Sequence, residues 1–295
     1  MKKLRILLAL QFISFVGLSQ TENDSPVLGT YMLPEKGFET ATFGACSLYK
    51  FPSAQSTILA ELPINSIVII DTAIEVNYEL LNNRPEFYKV RYKNKVGYVP
   101  SAELAYYRLL QKDVNRTFLF WYNMEPEQKK DETDAFEYTV YHYNLFYKVL
   151  NETTVEEEGT FELNDDLFQL FLTPPKGLSG ISKLFVIDYF AEACGEDGGQ
   201  DYYSWKPGEF NFIAHLSEVG DGGVFYFTEK FIFPADSSGV KNQVRYLSEE
   251  FELFDEETNW YSEVHKFRTY EWKDGALYPP FKRENNYEEE VQSEE

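Results

Sequence analysis

The stretch EFYKVRYKNKVGYVPSAEL, Glu86 to Leu104, decides the fold class. It alternates bulky and polar residues on either side of a lysine-rich turn, as two short paired strands do. Pro100 removes a ladder donor and ends the second strand. Gly97 permits a sharp strand path or a close backbone approach beside an aromatic residue.

Working outward, the same grammar continues in both directions. Upstream, TILAELP and SIVIID are apolar runs of strand length divided by Pro and Asn, and none carries a helical spacing that competes. Downstream, PSAELAYYRLLQK adds a brief helical turn and leads to a domain boundary between Tyr106 and Asp113. Beyond it, TFLFWYN, FEYTVYHYNLFYKVL, KLFVIDYF, FNFIAHL, GVFYFTEKFIFP, QVRYLSEEFELF and EVHKFRTYEW all alternate over strand-sized lengths. Turn chemistry separates them in PPKGLSG, CGEDGGQD, GDGG, ADSSG and KDG.

Composition agrees with the pattern. Twenty-five Phe and 22 Tyr against three Met suit pleated, half-buried surfaces better than helices. The expectation is an all-β chain: a small barrel, then a larger antiparallel domain built as a meander or sandwich. A propeller-like arrangement is the rival, and no repeat at a fixed period supports it.

Read as one unit, CSLYKFPSAQST, ILAELPINSIVIID, FYKV and KNKVGYVPSAEL resemble the bacterial SH3-like (SH3b) domain over about residues 37–106. The resemblance implies a small barrel with period-2 alternation filling its interior. In this family aromatic residues often form the ligand surface, which makes Tyr49, Phe87, Tyr88 and Tyr98 the candidate ligand-binding residues. Phe87 and Tyr98 stand where the family usually has tryptophan, and TAIEVNYELLNNRPE lengthens a loop. The second domain, about residues 114–281, matches no family read from its motifs.

The first 19 residues have the parts of an export signal. Lys2, Lys3 and Arg5 precede a short apolar stretch from Ile6 to Val16, and small residues follow. The reading is therefore an exported protein, periplasmic or secreted, with a polar leader over 20–36 and no transmembrane segment after signal cleavage. The tail, residues 282–295, reads as acidic and disordered. A formal charge of -22 repels phosphate backbones and anionic lipid, so nucleic acid is not an expected partner.

Candidates for chemistry are few. Cys46 and Cys194 are the two cysteines, and in an oxidising compartment they are free to form a disulfide or to remain separate buried thiols. The resemblance places Cys46 at an inward position, which favours a buried thiol. Cys194 lies in EACGEDGG, where acidic neighbours oppose the low thiol pKa that a nucleophile needs. His142, His215 and His265 share no HExxH or HxH spacing. Asp197, Asp201, Asp221 and Asp236 lie on Gly-rich turns and are weak calcium candidates, although Asp-Gly pairs are also the usual residues of tight turns. No cofactor is expected. The leading expectation is a non-enzymatic binding protein for cell-wall peptide or glycan, or for an envelope protein. The alternative is a cell-wall hydrolase that uses the barrel for targeting and the second domain for its site.

Overall fold

A computed structural model describes residues 28–29, 36–71, 86–130, 137–191, 195–255, 260–283 and 288–294. The signal region and Cys194 lie outside the described residues. Among those described, the chain is all-β, with one 3-10 turn at Ser101–Glu103 and no helix long and apolar enough to cross a membrane.

The first sheet takes β2 (Glu39–Ala41), β3 (Cys46–Tyr49), β4 (Ile58–Leu62), β5 (Ile67–Ile70), β6 (Phe87–Tyr92) and β7 (Lys95–Pro100). It has the order β2-β5-β6-β7-β3-β4. One face encloses Leu48, Leu62, Val68, Ile70, Tyr88, Val90, Val99 and Leu104. The expected barrel does not close. The free side of β2 is occupied instead by the chain leaving the sheet: Thr42 bridges Leu104, and the Ala105 N–H donates to the Ala41 carbonyl at 2.8 Å. A strand edge filled in this way cannot also pair with β4.

Gly97 performs the role its sequence position suggests. A Cβ there would lie 2.5 Å from the Tyr49 carbonyl oxygen and 2.8 Å from Leu48 Cγ. Only a glycine lets β7 approach β3 so closely.

The remaining strands form one long meander. β8 (Tyr107–Gln111), β9 (Arg116–Lys130), β10 (Glu137–Asn151) and β11 (Thr154–Leu163) make a four-stranded sheet. β12 (Leu167–Thr173), β13 (Lys183–Tyr189), β14 (Gly198–Lys206), β15 (Glu209–Asp221), β16 (Phe225–Ile232), β17 (Gln243–Asp255), β18 (Trp260–Lys273) and β19 (Ala276–Tyr278) follow in sequential order in a ten-stranded sheet. This is a continuous antiparallel meander folded into packed layers, not a ring of blades. β1 (Leu28–Gly29), in the leader, joins its edge beside β12. β20 (Glu288–Glu294) pairs with β18, so the acidic tail is a strand over those residues. The register sets Glu289 opposite Lys266 and Glu290 opposite His265.

Two cores organise the meander into three layers. Phe118, Phe120, Leu145 and Phe161 of the four-stranded sheet meet Phe168, Phe185, Ile187 and Trp205 of β12–β14. Phe120 stacks on Phe185 with ring centroids 5.6 Å apart, the kind of pair worth about 0.5–1.5 kcal/mol beyond its area burial. On the opposite face, Leu184, Val186, Tyr202 and Leu216 meet Phe231, Phe233, Tyr246, Tyr270 and Trp272 of β16–β18 and the turn after β16. β13 lies between both cores, which explains why KLFVIDYF is nearly continuously apolar.

The ten-stranded sheet folds back on itself at a seam. β15 and β16 pair only over Glu218–Asp221 and Phe225–Thr228 and then diverge. Where they part, the buried Glu229 carboxylate accepts the Ser217 N–H at 2.7 Å and the Tyr246 hydroxyl at 2.6 Å. Arg283 donates to both Glu229 oxygens and to the His215 carbonyl. These side chains satisfy backbone groups that the interrupted ladder leaves without partners.

The first sheet is fixed to the second. Ala41, Ala105, Leu119 and Leu150 form a small shared core. Around it, the Thr40 hydroxyl donates to the Ala105 carbonyl at 2.6 Å, Arg108 to Asn65 at 3.1 Å, and Asn65 to the Glu152 carbonyl at 3.2 Å. Residues 107–113, left between the two domains by the sequence, are mostly strand β8.

Candidate functional site

Period-2 geometry sorts the aromatic residues of the first sheet. Tyr88 and Val90 on β6 and Val99 on β7 point into the core, so Phe87, Lys89, Tyr98 and Pro100 point out. The registers Lys89↔Tyr98, Tyr49↔Tyr98 and Phe87↔Pro100 bring these outward residues together. Tyr49 meets Phe87 edge to face at 6.1 Å. Three of the four candidate aromatics, Tyr49, Phe87 and Tyr98, therefore share one half-exposed face, with Lys89 of β6 opposite Tyr98. Tyr88 does not share it: its side chain is a core residue, 4% exposed.

Asp71 marks the charged end of this face. It lies 2.9 Å from Arg91 and 3.7 Å from Lys89, and the Arg91 hydrogen bond holds its carboxyl below the usual range. Charge is unevenly distributed along the chain. Residues 36–104 contain seven acidic and seven basic side chains, whereas residues 105–295 contain 39 and 17 and so carry the whole -22. The aromatic face thus sits on a neutral unit, where ring contact and hydrogen bonding outweigh long-range attraction.

Cys46 is a free thiol on β3, directed toward the core of the first sheet. Burial, then Glu103 and Glu61, push it up to about 12, so it is a poor nucleophile. Its proposed disulfide partner, Cys194, lies outside the described residues.

A second group of polar residues was not legible as a site. Asp201 on β14 and His215 on β15 are direct cross-strand neighbours, with Asp201 Oδ1 2.8 Å from His215 Nδ1. The other Asp201 oxygen accepts the Tyr189 hydroxyl at 2.6 Å, and the Asn164 amide donates at 3.2 Å. Asp201 is 2% exposed. Burial, then the Asp201 charge, push the Tyr189 hydroxyl well above its ordinary range. A polar residue in the apolar phase of DYYSW was the one available signal. Placing Asp201 on a calcium-binding turn assumed a longer loop than exists. A Cβ on Gly199 would meet the Leu216 carbonyl oxygen at 2.1 Å, so that glycine serves strand approach.

The other calcium candidates separate. Asp236 accepts the Phe233 N–H at 2.8 Å and closes a turn, and the Asp221 carbonyl accepts the Val224 N–H at 2.8 Å. Asp197 is exposed. Among the described residues, no group of three or more His, Cys, Asp or Glu is placed to hold a metal. The remaining histidines pair with single carboxylates, His142 with Glu127 at 2.7 Å and His265 with Glu263 at 3.2 Å.

The chain matches no family model, no curated protein and no solved structure. What it does must therefore be argued from its own residues.

Proposed function

We propose that this is an exported binding protein whose ligand surface is the outer face of β3, β7 and β6. The supporting observation is the convergence of Tyr49, Phe87 and Tyr98 on one face, with Lys89 opposite Tyr98. Aromatic rings with a hydrogen-bonding cation alongside suit sugar rings and peptide side chains alike. The ligand class is cell-wall peptide or glycan, or an envelope protein, as the SH3-like resemblance of this unit suggests. Rigid attachment to the second sheet gives the face a fixed orientation on a large acidic body.

Retention on purified peptidoglycan tests this reading. The wild-type chain should be retained, and Tyr49→Ala and Tyr98→Ala should each weaken retention at least about tenfold. No retention of the wild type would count against a wall ligand.

The Asp201–His215 pair favours a second reading, a hydrolase with a carboxylate-oriented imidazole as general base. Release of soluble fragments from the same peptidoglycan, lost in His215→Ala, would support it over simple binding.

A further inference from the structure

We propose that one end of β17, β18 and β19 carries a second binding site, which takes an uncharged saccharide. Alternation builds it. Val244, Tyr270, Trp272 and Leu277 point into the core, so Gln243, Thr269, Glu271 and Tyr278 point out. The registers Gln243↔Glu271 and Glu271↔Tyr278 align three of these in one row across the strands.

The turn before β17 adds the remaining residues. Asn242 has a left-handed backbone, with φ at 59°, which asparagine adopts more readily than most side chains. Its carbonyl accepts the Trp272 N–H at 2.9 Å, so the turn is fastened to the end of β18. Lys241 and Asn242 then join Gln243, Thr269, Glu271 and Tyr278 around a concavity of about 450 Å³. Ligand pockets run from roughly 300 to 1,000 Å³, and this one has room for about one or two sugar rings.

The polar groups of this hollow are unused by the protein. Among the described residues, none of the six side chains makes a hydrogen bond or an ion pair. Elsewhere on the same layer, Lys230 and Glu249 close on each other at 3.0 Å. Donors and acceptors gathered in a hollow without protein partners supply the orienting half of a ligand site.

Chemistry selects the ligand class. A sugar hydroxyl both donates and accepts, and so do the Asn242 and Gln243 amides and the Thr269 hydroxyl. Glu271 accepts and Lys241 donates, which suits neighbouring hydroxyls of one ring. Their charges are opposite, so the lining has no net charge to draw in a phosphate or an ammonium group. Tyr278, 64% exposed, offers a flat apolar surface to the C–H face of a pyranose. Among the described residues the lining has no aliphatic side chain, so an apolar peptide side chain would gain little there. This site lies on a different sheet from Tyr49, Phe87 and Tyr98 and stands whether or not that face binds.

Isothermal titration of the purified chain with maltose, cellobiose and N,N′-diacetylchitobiose tests the proposal. At least one should bind with a dissociation constant on the order of 1 mM, as an open site and a small ligand allow. Tyr278→Ala should raise that constant at least about tenfold, and Gln243→Ala and Glu271→Ala each about threefold to tenfold. All three changes are at outward positions and should leave the melting temperature within about 2 °C. Tyr98→Ala, on the first sheet, should leave sugar binding unchanged. Bound sugar should also slow acetylation of Lys241 but not of Lys206. Absence of binding by all three sugars up to about 20 mM would overturn the proposal. So would binding that survives Tyr278→Ala, and its loss in Tyr98→Ala would then assign the sugar to the first sheet.

Discussion

Arg283 holds Glu229 from both sides of the carboxylate, with Nε 3.1 Å from one oxygen and Nη2 2.9 Å from the other. Glu229 has no exposed side-chain surface, whereas Arg283 is half open to water. Removing the arginine therefore leaves a buried charge with only the Ser217 N–H and the Tyr246 hydroxyl. Arg283→Ala should cost about 2–3 kcal/mol, below a fully enclosed pair because water reaches the guanidinium. Urea unfolding would measure it. Glu229→Gln/Arg283→Ala should cost clearly less than the two single changes added together.

Gly97→Ala should destabilise the first sheet by about 2–3 kcal/mol, since the new methyl meets backbone and Leu48 within van der Waals distance. Equilibrium unfolding followed by tyrosine fluorescence would detect it. An unchanged midpoint would mean that β7 and β3 lie farther apart than described.

Tyr88→Ala should cost about 3–5 kcal/mol because the ring fills the core of the first sheet. Tyr98→Ala, on the half-exposed outer face, should cost less than about 1.5 kcal/mol while reducing ligand retention. Thermal melts of both variants would separate packing from binding.

Cys46 should resist alkylation in the folded chain. With its thiol raised from 9.0 to about 12, the thiolate fraction at a pH of about 8 falls roughly a thousandfold. Peptide mapping after iodoacetamide treatment, native against denatured, resolves Cys46 from Cys194. Equal labelling in both states would refute the burial.

Asp188 should make the fold less stable as pH rises. Burial, only partly offset by the Gln200 hydrogen bond, raises its carboxyl above the ordinary value. The fold therefore binds this proton more tightly than the unfolded chain does. Its stabilising effect is complete below the unfolded pKa and is lost as pH rises through the folded one. Asp188→Asn should raise the melting temperature by a few degrees near neutrality, roughly 1 kcal/mol, and by less in acid. A gain confined to low pH would reverse this sign.

Much of the fold was legible because strand faces follow a period of two. FYKVRY and KVGYVP announce a paired hairpin, and Gly97 announces a close approach. The layering was not legible, since it depends on which distant faces meet: nothing local in FIFPADSSG indicates that Phe233 packs against Tyr202. Barrel closure failed for a similar reason, because the partner of β2 is the exit chain at Ala105. Of the candidate site, alternation could separate Tyr88 from its neighbours, but the shared face of Tyr49 and Phe87 required the register of three strands. Asp201 and His215 were hidden because Gly195, Gly198 and Gly199 make the stretch before Asp201 read as a loop, whereas β14 already begins at Gly198.

Most strands pair with the next in sequence, so each hairpin can form soon after its residues are available. β2 and β3 reach past their neighbours to β5 and β7, and among the described strands β1 reaches farthest. Leu28 finds Phe168 only after more than a third of the chain has intervened. Closing so long a loop has a high entropic cost and gains only a two-residue pairing in return. The leader should therefore dock last during folding and detach first under stress. Early cleavage by a protease in that segment would reveal this sequence of events.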